Sequence, residues 1–221
     1  MSHAPSAPRP FLPAAGRDWL LPFYDPFSRL LGVGALHGAL LAQAAIAPGQ
    51  RVLDVGCGTG TLATRLARER GDVDVVGLDP DPKALAIARR KVERAGVAAR
   101  FERGYGDALP FPDASFDRVL SSMMFHHLDL ATKRGMLAEV LRVLRTGGSF
   151  HLVDFGASTG GHHHGLLGRV FLRSEHVGEG DDATIAALFR AAGFADVERI
   201  GERRMLFARV AFHRGAKPDG R

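Results

Sequence analysis

The stretch VLDVGCGTG, residues 52–60, decides the fold. A short apolar run leads directly into a turn with Gly56, Gly58 and Gly60, and a helical pattern of apolar residues follows from Leu62. Glycine adopts a positive φ without strain and carries no side chain that would block a ligand. Backbone N–H groups in such a strand–turn–helix unit point toward an anionic or polar group. The stretch therefore predicts a ligand-binding turn at the end of a strand.

Two aspartates follow the next two strands of the pattern. Asp79 lies 19 residues after Gly60, and Asp107 comes after a third strand. Because the carboxyl ends of parallel strands meet at one edge of a sheet, we expect both carboxylates beside the glycine turn. A carboxylate at Asp79 can accept hydrogen bonds from both hydroxyls of a ribose. Pro80 offers a flat apolar face for an adenine, and Asp107 suits its exocyclic amine.

Strands and helices alternate through the middle of the chain, which predicts a parallel sheet covered on both faces. The expected fold is α/β, with a Rossmann-like, doubly wound and mostly parallel seven-stranded sheet, a C-terminal antiparallel hairpin and an N-terminal helical lid. Ser28 is expected to cap the lid helix, which would run to Ile46. The predicted strands cover residues 51–55, 73–78, 98–102, 116–121, 149–154, 195–200 and 205–212.

Composition divides the chain into four segments. Residues 1–15 hold four prolines and predict a disordered lead-in, residues 16–48 form the lid, residues 49–214 form the α/β domain, and residues 215–221 form a basic tail. A tail of this charge could touch nucleic acid or anionic lipid. A solvated tail is the simpler interpretation, so no nucleic-acid partner is expected.

Cysteine content and hydropathy exclude several classes of protein. The chain of 221 residues has a single cysteine, Cys57, which excludes a disulfide framework within the monomer and a multi-cysteine metal site. The N-terminus lacks the apolar core of a signal peptide, and the apolar stretch 30–47 is too interrupted to span a membrane. We therefore expect a cytoplasmic protein without stable membrane insertion. The sequence leaves the oligomeric state open.

Four motifs together resemble a known enzyme class. VLDVGCGTG, GLDPD at 77–81, GDALPFPDASFD at 106–117 and LRVLRTGGSFHLVDF at 141–155 are similar to the class I S-adenosylmethionine-dependent methyltransferases. Within that class the chain most resembles the small-molecule group that includes the ubiquinone/menaquinone methyltransferases. One departure is Leu144-Arg-Thr-Gly-Gly148, where the family usually has Lys-Pro-Gly-Gly, and this affects only a local loop.

The resemblance implies a set of cofactor contacts. The turn would hold the methionine part of S-adenosylmethionine, and Asp79 would bind the ribose hydroxyls. Asp107 and Ala108 would contact the adenine. Asp54 is interpreted as a carboxylate that shapes the turn, and Tyr24 resembles a lid residue that covers the cofactor. The full set of predicted cofactor-binding residues is Tyr24, Asp54, Gly56, Cys57, Gly58, Gly60, Asp79, Pro80, Asp107, Ala108, Ser121 and Ser122.

Two histidines after the fourth strand are the candidate catalytic residues. His126 and His127 follow a strand end on the catalytic edge of the sheet, where either could act as a general base. Asp154, at the end of the fifth strand, could reach the same pocket. Three adjacent histidines at 162–164 cannot all face one ion, so no metal is expected.

The acceptor is expected to be a small hydrophobic or aromatic molecule. Its predicted walls include Leu30 and Leu31 of the lid, together with Met123, Met124 and Phe155. Two alternatives stay open at this point. A non-catalytic S-adenosylmethionine-binding regulator would have the same cofactor site. A nicotinamide-dependent oxidoreductase would share the sheet and the ribose carboxylate, but its fingerprint requires G-x-G-x-x-G rather than the G-x-G-x-G found here.

Overall fold

The computed structural model describes residues 25–26, 28, 30–155, 182–205 and 209–219. Tyr24 and the histidines at 162–164 lie outside these residues. The helices are α1 (Val33–Ala44), α2 (Thr61–Glu69), α3 (Pro82–Ala95), α4 (Leu130–Val143) and α5 (Asp182–Ala191). The strands are β1 (Arg51–Val55), β2 (Asp74–Asp79), β3 (Arg100–Arg103), β4 (Phe116–Ser122), β5 (Leu144–Phe155), β6 (Ala195–Arg204) and β7 (Arg209–Ala216).

All seven strands form one sheet in the order β3-β2-β1-β4-β5-β7-β6. The first five strands in this order pair in parallel, and β7 runs antiparallel between β5 and β6. The strand order reverses between β1 and β4, which is where open α/β sheets bind their ligands. The predicted fold class, including the C-terminal hairpin, is confirmed.

Alternating side chains of the strands supply two separate apolar cores. On one face Val52 of β1 and Leu120 of β4 pack with α1, α2 and α3. On the other face Leu53 and Val119 pack with α4 and α5. Successive residues of a strand point to opposite faces, so a strand buried on both sides is apolar throughout. This explains why the sequence of β1 reads as a nearly continuous apolar run.

The N-terminal helix differs from its predicted start. α1 begins at Val33 after Gly32, which has φ of 83°. Ser28 is buried and itself has helical backbone, so it is not the cap of that helix. A residue in the left-handed region interrupts the helical path, and glycine adopts this conformation most readily. The prediction of one helix from Ser28 to Ile46 was therefore wrong at its start.

The C-terminal strands extend further than the sequence pattern indicates. β7 runs from Arg209 to Ala216, so it starts four residues later than predicted, and residues 215 and 216 belong to the sheet rather than to a tail. Lys217 follows them, and its Nζ donates to the carbonyl oxygen of Leu144 at 2.7 Å. β5 starts at Leu144 directly after α4, so the TGG segment lies inside the strand rather than in a loop before it. No helix in the described part of the chain is long and apolar enough to cross a membrane.

Candidate active site

The glycine turn after β1 is held by packing as well as by backbone conformation. Gly56 and Gly60 have φ of 74° and 72°. A Cβ on Gly56 would lie 2.5 Å from Cγ of Met124, and one on Gly60 would lie 2.7 Å from Cβ of Ala88. The amide of Gly56 donates to the carbonyl oxygen of Leu78 at 2.8 Å, which fixes the turn to β2. The turn therefore has little freedom to accept a side chain at either position.

Asp79 ends β2 and closes the turn from the other side. Its Oδ2 accepts a hydrogen bond from the Gly58 amide at 2.8 Å, and its Oδ1 accepts one from the Asp81 amide at 2.9 Å. Burial raises the pKa of Asp79 although these two amides favour its ionised form. A carboxylate has about four lone-pair positions, so each oxygen can still accept a hydrogen bond from a ligand hydroxyl.

Asp54 is the second-to-last residue of β1 and is almost fully buried. Burial, and then the nearby carboxylate of Asp79, raise the pKa of Asp54 to about 7, while the Ala63 amide opposes the shift. Its Oδ2 is buried without a hydrogen-bond partner. Buried polar atoms are normally paired, so this oxygen retains the capacity to accept a further hydrogen bond.

These residues line a single cavity of about 1110 Å³. Pockets for one small ligand span roughly 300–1,000 Å³, so the cavity has room for more than one molecule. Nine of the predicted site residues line it: Asp54, Gly56, Cys57, Gly58, Asp79, Pro80, Asp107, Ser122 and His127.

The other predicted residues lie elsewhere. Gly60 is the N-cap of α2, and a Cβ added to it would clash with Ala88. Ala108 pairs with Tyr105 in a short bridge, and Ser121 is fully buried within β4. Tyr24 is outside the described residues. Met123 and Met124, which were predicted to form the acceptor wall, line the cavity, whereas Leu30 is 79% exposed and does not.

The two candidate histidines share a short turn after β4 but have different surroundings. His126 and His127 lie in a 3-10 turn over Phe125–His127, with ring centroids 3.9 Å apart. Nδ1 of His126 is 2.6 Å from Oδ1 of Asp154, the buried carboxylate near the end of β5. His127 lines the cavity, and burial together with His126 lowers its pKa to about 4. The turn thus brings His126 into contact with the carboxylate of Asp154 and places His127 in the cavity wall.

Asp25 connects the chain before α1 to the glycine turn. Its Oδ1 accepts hydrogen bonds from Thr59 Oγ1 at 2.6 Å and Thr61 Oγ1 at 3.0 Å, and its Oδ2 lies 2.6 Å from Nζ of Lys91. Burial raises the pKa of Asp25, but these donors outweigh it and hold the pKa below its ordinary value. We refer to Asp25, Thr59, Thr61 and Lys91 as the Asp25 cluster.

Sequence reasoning missed several residues of the cavity wall. Asp129 lines the cavity and also caps α4 by accepting from the Thr132 amide at 2.7 Å. An aspartate before an apolar helix is a recognisable cap, so this position could have been found. Lys91 and His37 come from helices with no motif of their own, and nothing in their sequence indicated the site. In the described ranges no three metal-binding side chains come together.

Comparison with known proteins identifies the family. A family model described as a methyltransferase domain matches residues 52–148. The demethylmenaquinone methyltransferase of Deinococcus radiodurans is 38% identical over 162 residues, which cover 72% of this chain and 65% of that protein. The enzyme of the same name from Thermus thermophilus is 38% identical over 158 residues, or 70% of each protein. The chain thus spans about two thirds of the length of these curated relatives.

A solved structure agrees with the sequence matches. The apo crystal structure of the S-adenosylmethionine-dependent methyltransferase SibL superposes with a TM-score of 0.71 and 26% identity, over 87% of this chain and 56% of that one. These matches give no support to the nicotinamide-dependent alternative, whose glycine spacing the turn also lacks. From its glycine turn, its paired carboxylates and these relatives, the chain belongs to the S-adenosylmethionine-dependent methyltransferases.

Proposed function

We propose that the protein transfers a methyl group from S-adenosylmethionine to a small hydrophobic or aromatic acceptor. The observation that carries this proposal is the single cavity of about 1110 Å³, which joins the glycine turn and its carboxylates to an apolar wall. Its volume exceeds that of a typical one-ligand pocket, so cofactor and acceptor can lie side by side.

The residues around the turn fit the cofactor. The unpartnered Oδ2 of Asp54 suits the cationic amino-acid part, and Gly56 and Gly58 bring bare backbone to the cavity wall. Asp79 offers lone pairs to the ribose hydroxyls, and Pro80 and Asp107 line the cavity where the adenine would lie. When bound, the cofactor supplies an electrophilic methyl group on a positively charged sulfur.

The protein's contribution is to orient the acceptor and to exclude water. A transferable group reacts fastest when the attacking atom is held in line, at about 3–3.5 Å. The apolar side chains of Val33, Leu62, Met123, Met124 and Leu128 line the cavity and favour an acceptor with little charge. Both relatives described above are named for demethylmenaquinone, a compound of the quinone class, which supports an aromatic acceptor.

The histidine turn is the proposed catalytic element. A phenolic or hydroquinone acceptor loses a proton as it gains a methyl group, and a positioned base accelerates such a step by about 10²–10⁴-fold. His126 is the proposed base. Its ring lies 3.9 Å from that of His127, which lines the cavity.

Calorimetry and a methyl-transfer screen test the proposal. S-adenosylmethionine and S-adenosylhomocysteine should each bind at one site, and Asp79→Ala should weaken both. Incubation with hydroquinones, phenols and amines, followed by mass spectrometry, should give a singly methylated product with at least one aromatic acceptor. Binding without transfer would instead support a non-catalytic S-adenosylmethionine-binding regulator, and no binding would reject the proposal.

A further inference from the structure

Asp154 makes an unusually complete set of contacts for a buried carboxylate. Its Oδ1 lies 2.6 Å from Nδ1 of His126 and accepts from the Phe155 amide at 2.7 Å, while its Oδ2 accepts from the His126 amide at 3.2 Å. The side chain is 2% exposed. Burial raises the pKa of Asp154, but His126 and the two amides outweigh this effect and hold the pKa below its ordinary value.

The ionised carboxylate fixes which nitrogen of His126 carries a hydrogen. A carboxylate only accepts hydrogen bonds, so the neutral imidazole must donate through Nδ1. The lone pair of that imidazole then resides on Nε2. No hydrogen bond from a described residue reaches Nε2, and the side chain of His126 is 10% exposed. A carboxylate that holds an imidazole in this tautomer is the arrangement that makes histidine a general base.

Two other histidines show what this arrangement provides. His127 has no such carboxylate contact. Its pKa of about 4 means that its imidazole is neutral at pH 7 and seldom takes up a second proton. His151 is also buried on β5, but both of its nitrogens are engaged, with Gln43 Nε2 at 3.1 Å and Ser149 Oγ at 2.9 Å. Of these three, His126 alone combines an anionic partner on one nitrogen with a second nitrogen that accepts no hydrogen bond from the described part of the chain.

We propose that Asp154 is a positioning residue that holds His126 so that Nε2 accepts the proton of the acceptor hydroxyl during methyl transfer. This inference rests on the proposed function. The O–H bond breaks, its proton moves to Nε2, and its electron pair stays on the acceptor oxygen, which bonds to the methyl carbon. The carbon–sulfur bond breaks with its pair on sulfur, and the proton on Nε2 then passes to water. His126 adjoins the cavity rather than lining it: its ring lies 3.9 Å from that of His127, which forms part of the cavity wall.

Asp154→Asn, His126→Gln and the double variant test the inference. With a hydroquinone acceptor, each single change should lower kcat by about 10²–10⁴-fold. Because the two residues act as one unit, the double variant should be no slower than the slower single variant. The Kd for S-adenosylhomocysteine should stay within about threefold, since neither side chain lines the glycine turn. His151→Gln, which removes a buried hydrogen-bonded histidine of the same strand, is the matched control and should keep kcat within about threefold.

A measurement without turnover provides a second readout. The short contact between Nδ1 of His126 and Asp154 should give a strongly deshielded proton resonance in the NMR spectrum of the wild-type protein. That resonance should be absent from both single variants and present in His151→Gln. Its absence from the wild-type protein would overturn the inference. If Asp154→Asn does not fold by circular dichroism, the kinetics of His126→Gln and the wild-type resonance carry the test.

The outcomes separate this inference from the proposed function. Wild-type protein that binds no cofactor, or methylates no acceptor, contradicts the proposed function. Active wild-type protein whose folded His126→Gln or Asp154→Asn variant keeps its kcat contradicts only the role of the pair. Multiplicative losses in the double variant would likewise show that Asp154 does not act through His126.

Discussion

The cofactor side and the acceptor side of the cavity are built in different ways. The cofactor side consists of a backbone turn and two strand-end carboxylates within residues 52–81, and its shape is fixed by amide hydrogen bonds and by glycine packing. The acceptor side joins the turn Phe125–His127 to Asp154 on the next strand, mainly through side chains. A site built from backbone holds its ligand in one fixed geometry. In a wall built from side chains, substitutions can change which ligand binds without altering the sheet.

The largest effect is expected from Gly60→Ala, which tests whether packing fixes the cofactor side. A positive φ at alanine costs about 1–2 kcal/mol. The clash with Ala88 and Phe101 adds about 1–3 kcal/mol of overpacking. The free energy of unfolding in urea should therefore fall by about 2–5 kcal/mol.

Gly49→Ala is the control for Gly60→Ala. Gly49 has φ of 74° but nothing within 4 Å of its Cβ position. Its substitution should cost only the backbone contribution of about 1–2 kcal/mol. Equal losses in the two variants would contradict the claim that packing holds the turn.

Asp79→Ala tests the polar part of the same side. Loss of the proposed hydrogen bonds to the ribose should weaken S-adenosylhomocysteine binding by about 10–100-fold, since about 1.4 kcal/mol corresponds to a factor of ten. The control is Asp74→Ala on the same strand, which removes an exposed pair with Arg100. Calorimetry should find its Kd within about twofold of the wild-type value, and similar losses in both variants would reject the ribose contact.

The raised pKa of Asp54 makes cofactor binding depend on pH. A cationic ligand favours the ionised carboxylate, and free Asp54 becomes protonated as the pH falls below about 7. Affinity should therefore fall by up to about tenfold per pH unit below 7, with a proton released on binding. Asp54→Asn should remove most of this dependence, and the raised pKa of Asp79 would account for the remainder. A Kd independent of pH between 6 and 8 in the wild-type protein would contradict the prediction.

The smallest effect in this series is expected from a change at His127. His127→Ala removes part of the cavity wall without touching the glycine turn. The KM for an aromatic acceptor should therefore rise by about 3–10-fold. The Kd for S-adenosylhomocysteine should change by less than about twofold in calorimetry. A larger loss of cofactor affinity than of acceptor affinity would show that the two sides are not independent.

The same difference explains how far the sequence could predict the site. The turn and Asp79 were predictable because a strand, a glycine spacing and a second strand end lie within thirty residues of one another. The contact between His126 and Asp154 was not, since it joins residues 28 positions apart whose side chains meet only when β4 and β5 pair. Lys91 could not be predicted as a cavity residue, because it lies in the second half of α3, an ordinary amphipathic helix with no motif at that position.

The fold shows the same limit. Strand cores were predicted closely because alternation and β-branched residues determine them, but their ends were not. β7 reaches Ala216 because its partner β5 offers hydrogen bonds as far as Ser149, which pairs with that residue. Pairing between distant strands, rather than local propensity, decided where the sheet stops.

The Asp25 cluster has a consequence for any shortened form of the protein. A polypeptide that begins at α1 would retain every strand and the complete glycine turn. It would also leave Thr59, Thr61 and the ammonium of Lys91 without their shared anion. Such a truncated protein should fold with its sheet intact yet release S-adenosylhomocysteine more quickly than the full chain.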